Sequence, residues 1–162
     1  MEEKKNKKTF TSEQSFVKIC RWCAFQERSQ QKVRDKLYDY GLHQNDVEQI
    51  ISRVITEGFL NEERFAIAFA GGKFRQLGWG KEKIKIALKQ KRVSDYCIKK
   101  ALLQISDSDY FNMMRKVLKK RESEEKEKDA FKRKYKLANY LVSRGFESDL
   151  VWSIVKGDEF VD

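Results

Sequence analysis

Three small groups of residues have the types and spacings from which chemistry is built. Cys20-Arg21-Trp22-Cys23 has the spacing of a redox pair or of half a zinc site. A closed zinc site takes four ligands, and the third cysteine, Cys97, and the single histidine, His43, lie far away in sequence. Two cysteines three apart on an apolar-rich helical segment read as core-facing side chains, and His43 reads as a surface or loop residue. The second group, Gly78-Trp79-Gly80-Lys81, sits in a glycine- and lysine-rich stretch. A phosphate-binding P-loop needs G-x-x-x-x-G-K-[ST] after a strand. Here Arg75 stands at the first glycine position, Glu82 replaces the hydroxyl residue, and a helix precedes the segment. Lys83 likewise occupies the third glycine of a G-x-G-x-x-G fingerprint. Gly78-Trp79-Gly80 is therefore a joint between helices. The third group, Glu62 and Glu63, consists of first-turn acids that a helix dipole favours. No catalytic set converges, and neither a metal nor a cofactor is expected.

The elements that position these residues are helices. The chain has no proline and no alternating run of β-branched residues. Gly41, Gly58, Gly145 and Gly157 each close an amphipathic run, where glycine takes the left-handed conformation at little cost. Three segments then superimpose. With Leu37, Leu88 and Leu141 as anchors, Leu42, Val93 and Phe146 follow five residues later, and Val47, Ile98 and Val151 ten residues later. Ile50, Ala101 and Ile154 come next at thirteen, then Ile51, Leu102 and Val155 at fourteen. Such spacing describes one helix, a short turn that points an apolar residue inward, and one face of a second helix. An additional helix precedes each pair, over 16–26, 62–76 and 110–120.

The fold class is thus all-α, an elongated, curved array of three tandem three-helix repeats. The expected divisions are a basic flexible tail (1–14), repeat 1 (15–58), repeat 2 (59–106), repeat 3 (107–157) and a C-terminal tail (158–162). Residues 121–129 carry no apolar side chain. They form either a solvated helical extension or a mobile linker, which singles out the third repeat as the one expected to move. Trp22, Phe25, Phe65, Phe69 and Trp152 recur at helical positions and are expected in the core.

Charge narrows the function. The net charge is +10, and residues 61–106 hold 11 basic against 4 acidic side chains, whereas the flanking thirds are nearly balanced. A basic middle suggests a polyanion or an acidic protein surface as partner. No window approaches the roughly 20 apolar residues of a membrane span. The basic start has no apolar stretch behind it to make a secretory signal. A cytoplasmic monomer is the expectation.

Lys81, Lys85, Lys89 and Arg92 are spaced i, i+4, i+8 and i+11, so they form one row beside the apolar stripe of Ile84, Ala87 and Leu88. Lys73 and Arg75 precede the joint, and only Glu82 opposes these cations among residues 73–92. A row of this kind neutralises phosphates. The plainer reading of such a row is a solvated face. Trp79 is the ring placed to stack on a base or partner, or else to cap the joint.

The run Glu57-Gly58-Phe59-Leu60-Asn61-Glu62-Glu63-Arg64-Phe65-Ala66, then Phe69, Gly78-Trp79-Gly80, Ile84 and Leu88, resembles the central block of the RecX family. The likeness extends over roughly residues 15–156. It implies tandem three-helix repeats and a protein that is not an enzyme. By this resemblance it regulates the RecA recombinase by binding the RecA–single-stranded-DNA filament and restraining its ATPase, strand-exchange and coprotease activities. Two departures stand out: Arg92 replaces a usual glycine in the turn of the second repeat, and Lys81 replaces a frequent proline after G-x-G. A stand-alone helical nucleic-acid-binding protein unrelated to RecA is the alternative reading.

Overall fold

Six of the helices start at a side chain that accepts a hydrogen bond from the amide three residues on, the stop-and-start chemistry that defines helix N-termini. Thr11, Ser29, Asn61, Ser94, Ser106 and Asp129 play this part. Gln14 also returns a bond to the Thr11 amide and completes a capping box. In a computed structural model describing residues 9–157, the helices so capped are six of nine α-helices, and the described residues contain no strand. The first unit comprises α1 (Ser12–Phe25), α2 (Gln30–Asp39) and α3 (Gln44–Thr56). The second comprises α4 (Glu62–Leu77), α5 (Lys81–Gln90) and α6 (Asp95–Leu103). The third comprises α7 (Asp107–Glu124), α8 (Ala130–Ser143) and α9 (Ser148–Lys156). The fold is the all-α array of three-helix units that the repeat implied. Helix α1 begins at Ser12, inside the stretch expected as a tail. Residues 1–8 and 158–162 of the two expected tails lie outside the described residues.

The repeat anchors behave alike. Leu37, Leu88 and Leu141 have no exposed surface. In the second and third units the amide five residues on, that of Val93 or Phe146, donates to the anchor carbonyl at 3.2 Å. This closes the helix and turns the chain inward. Val47, Ile98 and Val151 then bury the following helix. Cys20 and Cys23 are buried in the first core and Cys97 in the second. Among the described residues no three acids, histidines or cysteines gather as a metal site.

Three repeats build only two cores. One gathers α1, α2 and α3 with Leu60. The other is continuous from Ala66 on α4 to Val151 on α9. Within the charged stretch, 121–124 continue α7 and only 125–129 leave the helix. Arg133 holds that bend by donating to the carbonyls of Glu122 and Glu125 at 2.9 and 2.8 Å. This shared packing removes the reason for singling out the third unit as the moving one. Phe25 corrects another expectation: as the last residue of α1 it projects past the core and is 85% exposed.

The second and third units meet backbone to backbone. A Cβ added at Gly80 would land on the carbonyl of Gly145, and one added at Gly145 (φ +97°) would strike Lys83. Gly58 is also left-handed (φ +80°) but has nothing within 4 Å. Gly58→Ala is therefore expected to cost only its conformational penalty of about 1 kcal/mol. Gly80→Ala, with no unusual φ to lose, is expected to cost about 3 kcal/mol through forced separation of the units. Urea unfolding of the two variants measures the difference, and equal losses would remove the close crossing from the account.

Candidate interaction surfaces

Helix α5 has no side chain to cap it, because Gly80 sits at its N-cap. Its free amides are satisfied by the third unit instead. Gly80 N–H donates to the Arg144 carbonyl at 2.8 Å, Glu82 N–H to the Gly145 carbonyl at 3.0 Å, and Lys81 N–H to the Tyr110 hydroxyl at 3.0 Å. Tyr110 in turn donates to the Glu147 carboxylate. The Arg144 guanidinium donates to the carbonyl of Leu77, at the end of α4. The basic helix is therefore fixed at its start by a cradle built from α7 and the α8–α9 turn.

From that fixed point the predicted cations divide. Lys81, Lys85 and Lys89 form a row along α5, as their spacing required. They rim a groove of about 420 Å³ floored by Ile98 and Leu102 of α6, with Lys99 on the opposite side. Leu103 beside it is 67% exposed. Asp95 is the one acid of this lining, and none of these four lysines forms an ion pair with a described residue. Arg92 does not belong to the row. Helix α5 ends at Gln90, and Arg92 occupies the left-handed turn beyond it (φ 58°), keeping the backbone of the absent glycine. Arg75 folds back along α4, its guanidinium beside Gly71.

Lys73 serves a different face. Its ammonium lies 5.1 Å from the centre of the Trp79 ring, and Lys83 lies 4.6 Å from the same ring. Trp79 is half-buried against the second core, so it caps the joint while lysines cover its exposed face. Lys73 also approaches the Phe69 ring at 5.4 Å, as does Lys91 at 5.6 Å. This second face opens onto a cleft toward the first unit. Lys83, Lys91 and Lys99 escaped the sequence reading because helical periodicity places residues on one helix but not opposite the next. Phe69, expected only as core, is half-buried and lines the cleft.

A family model described as the second three-helix domain of RecX matches residues 61–102, and one for the third three-helix domain matches 107–155. The chain belongs to the RecX family. The regulatory protein RecX of Streptococcus uberis is 31% identical over 136 residues, covering 82% of this chain and 51% of its own. That of Clostridium perfringens is 29% identical, over 80% of this chain and 61% of the relative. The chain thus spans between half and two thirds of these relatives' lengths. A Haemophilus influenzae regulatory protein RecX, 27% identical, is covered over 88% of its length. The fold is shared with the crystal structure of RecX from Lactobacillus salivarius, at a TM-score of 0.79 and 20% identity over 90% of this chain and 94% of that one. A second crystal structure of regulatory protein RecX gives 0.78 over 91% of this chain and 72% of that one. The two matched domains coincide with the units that share one core, and G-x-G is the segment whose second glycine lets them meet.

Two outcomes follow from these geometries. Arg92→Gly is expected to raise unfolding free energy by about 0.5–1 kcal/mol, since the left-handed strain exceeds the flexibility glycine adds; a lowered midpoint in urea would refute the strain. Alkaline pH tests burial. Desolvation pushes the Cys23 thiol from 9.0 up to about 11, and burial with the Glu147 contact raises the Tyr110 hydroxyl above its ordinary value. The unfolded chain loses these protons first, so their stabilisation is full below pH 9 and declines above it, that of Cys23 being lost as pH rises through about 11. Melting temperature against pH should show this decline, shallower in Cys23→Ala and in Tyr110→Phe; an unchanged slope in both would count against it.

Proposed function

We propose that this protein is a cytoplasmic, monomeric, non-enzymatic regulator that binds the RecA–single-stranded-DNA filament. It restrains the recombinase, ATPase and coprotease activities of RecA and so tunes DNA repair and recombination. Family membership supports the regulatory role. The observation that carries the filament contact is the α5 row of Lys81, Lys85 and Lys89 facing Lys99 across the apolar floor of α6, none of the four ion-paired with a described residue. Lysines at the rim attract an acidic or phosphate-bearing lattice and speed encounter, whereas Ile98, Leu102 and exposed Leu103 supply the contacts that slow dissociation. A filament repeats its binding sites, so a chain touching more than one protomer gains effective concentration.

The test is the ATPase of RecA on single-stranded DNA, with this protein titrated below one copy per protomer. Suppression in that range supports action on filament growth or on several protomers. In Lys85→Glu/Lys89→Glu, half-maximal suppression is expected to need roughly tenfold more protein, equivalent to about 1.4 kcal/mol. An unchanged titration would sink the lysine row as the contact. No suppression by the parent, with salt-sensitive binding to bare nucleic acid, would favour a stand-alone binder.

A further inference from the structure

The cleft between the first and second units is not explained by the lysine row. Two cavities of about 460 and 420 Å³ adjoin here, with Ser29, Lys32 and Lys91 lining both, and together they form the cleft. Its walls come from α2 with the turn before it on one side, and from α4 with the end of α5 on the other.

The chemistry of this groove is cations interleaved with aromatic rings. Arg28 lies 4.2 Å and Lys36 5.4 Å from the centre of the Trp22 ring at one end. Lys73 and Lys91 approach Phe69 at 5.4 and 5.6 Å further along. Lys32 stands between the two ring sites, on the shared wall. None of these five cations is ion-paired to a described residue. Three acids line the groove, and Glu27 among them is already paired with Arg64. Asp35 accepts from Gln31 at 2.9 Å, and Asp39 lies at the Trp22 end.

We propose that this cleft binds a single strand of nucleic acid, its phosphates tracked by Lys32, Lys73 and Lys91 and its bases laid against Phe69 and the Trp22–Arg28 stack. Channels for single strands combine a positive groove with rings on which bases stack without regard to sequence. Ring faces covered by lysine ammoniums in the free protein become base platforms when those ammoniums turn to phosphate. The guanidinium of Arg28, lying over Trp22, offers a planar face of its own. A duplex hides its base faces and cannot use them. The proposal rests on the nucleic-acid part of the function above and not on RecA. It also divides the basic surface, with the cleft taking the strand and the α5–α6 groove left for protein.

Anisotropy of a labelled oligothymidylate, without RecA, tests this across a salt series. Lys32→Glu/Lys91→Glu is expected to weaken binding at least roughly tenfold and to flatten the dependence of log K on log salt by about 1.4, at 0.7 per lost phosphate contact. Phe69→Ala is expected to weaken it roughly tenfold with the salt slope unchanged, the signature of a lost stacking platform. Lys119→Glu/Lys120→Glu, exposed on α7 and outside both grooves, should bind within about twofold of the parent. Because Phe69 is half-buried, the lysine variant, whose thermal melt should match the parent's, decides the matter if Phe69→Ala unfolds. Oligothymidylate binding that is absent in the parent, unchanged in the lysine variant, or lost equally in Lys119→Glu/Lys120→Glu overturns the proposal. So does duplex DNA or thymidine monophosphate competing as well as the strand. Each of these failures leaves RecA ATPase suppression by the parent standing, so the two readings fail separately.

Discussion

The architecture depends on a crossing of two backbones. A helix whose first turn lacks a capping side chain must find acceptors for its free amides, and α5 finds them in the carbonyls of Arg144 and Gly145. Such an arrangement works only if no Cβ intervenes on either strand, which is why glycine stands at both 80 and 145. Everything basic in the middle of the chain is aimed from that crossing. The direction of α5 fixes its lysine row over α6, and the position of Trp79 fixes which lysines turn the other way. Tyr110 and Arg144 reinforce the crossing from the third unit, one at the start of α5 and one at the end of α4. The third unit is therefore a structural support of the second unit's surfaces as well as a repeat in its own right.

Charge and apolar surface are combined differently on the two faces thus created. Over α6, lysines surround a floor of aliphatic side chains, an arrangement in which attraction and apolar burial act on one partner together. Toward the first unit, cations lie on rings. The distinction matters because a lysine over leucine and a lysine over phenylalanine favour different companions: the aliphatic floor rewards a complementary apolar side chain, whereas the ring rewards any planar π-system. A single basic total for residues 61–106 conceals both.

Much of this was legible in the chain. The anchors Leu37, Leu88 and Leu141 and their followers predicted helix–turn–helix geometry, because burial of one face demands fixed spacing and the same turn recurs. Gly78-Trp79-Gly80 was readable as a joint, since the phosphate-binding alternatives fail residue by residue. Its reason was not readable: nothing near Gly80 reveals that Gly145 will approach it. The lysine row was visible as a period, but Arg92 fell outside it because the end of α5 at Gln90 depends on the turn, where arginine holds a backbone shape usually left to glycine. Phe25 looked like core because periodicity cannot tell the last turn of a helix from its middle. The inter-unit cleft was invisible for the same physical reason as the glycine crossing, since its two walls meet only in the folded chain.

The two-core plan gives the molecule the mechanics of a caliper. Between the first core and the second the chain crosses only the short segment 57–61, and Leu60 stays with the first core. The outer tie is polar, with Arg64 bridging Glu27 and the carbonyls of Gly58 and Phe59. No buried side chain of either core is shared with the other, so rotation about this segment would change the gap between the jaws without repacking either one. The gap between the jaws is thus held by a few surface bonds, whereas the spacing of the second and third units is held by a packed interior.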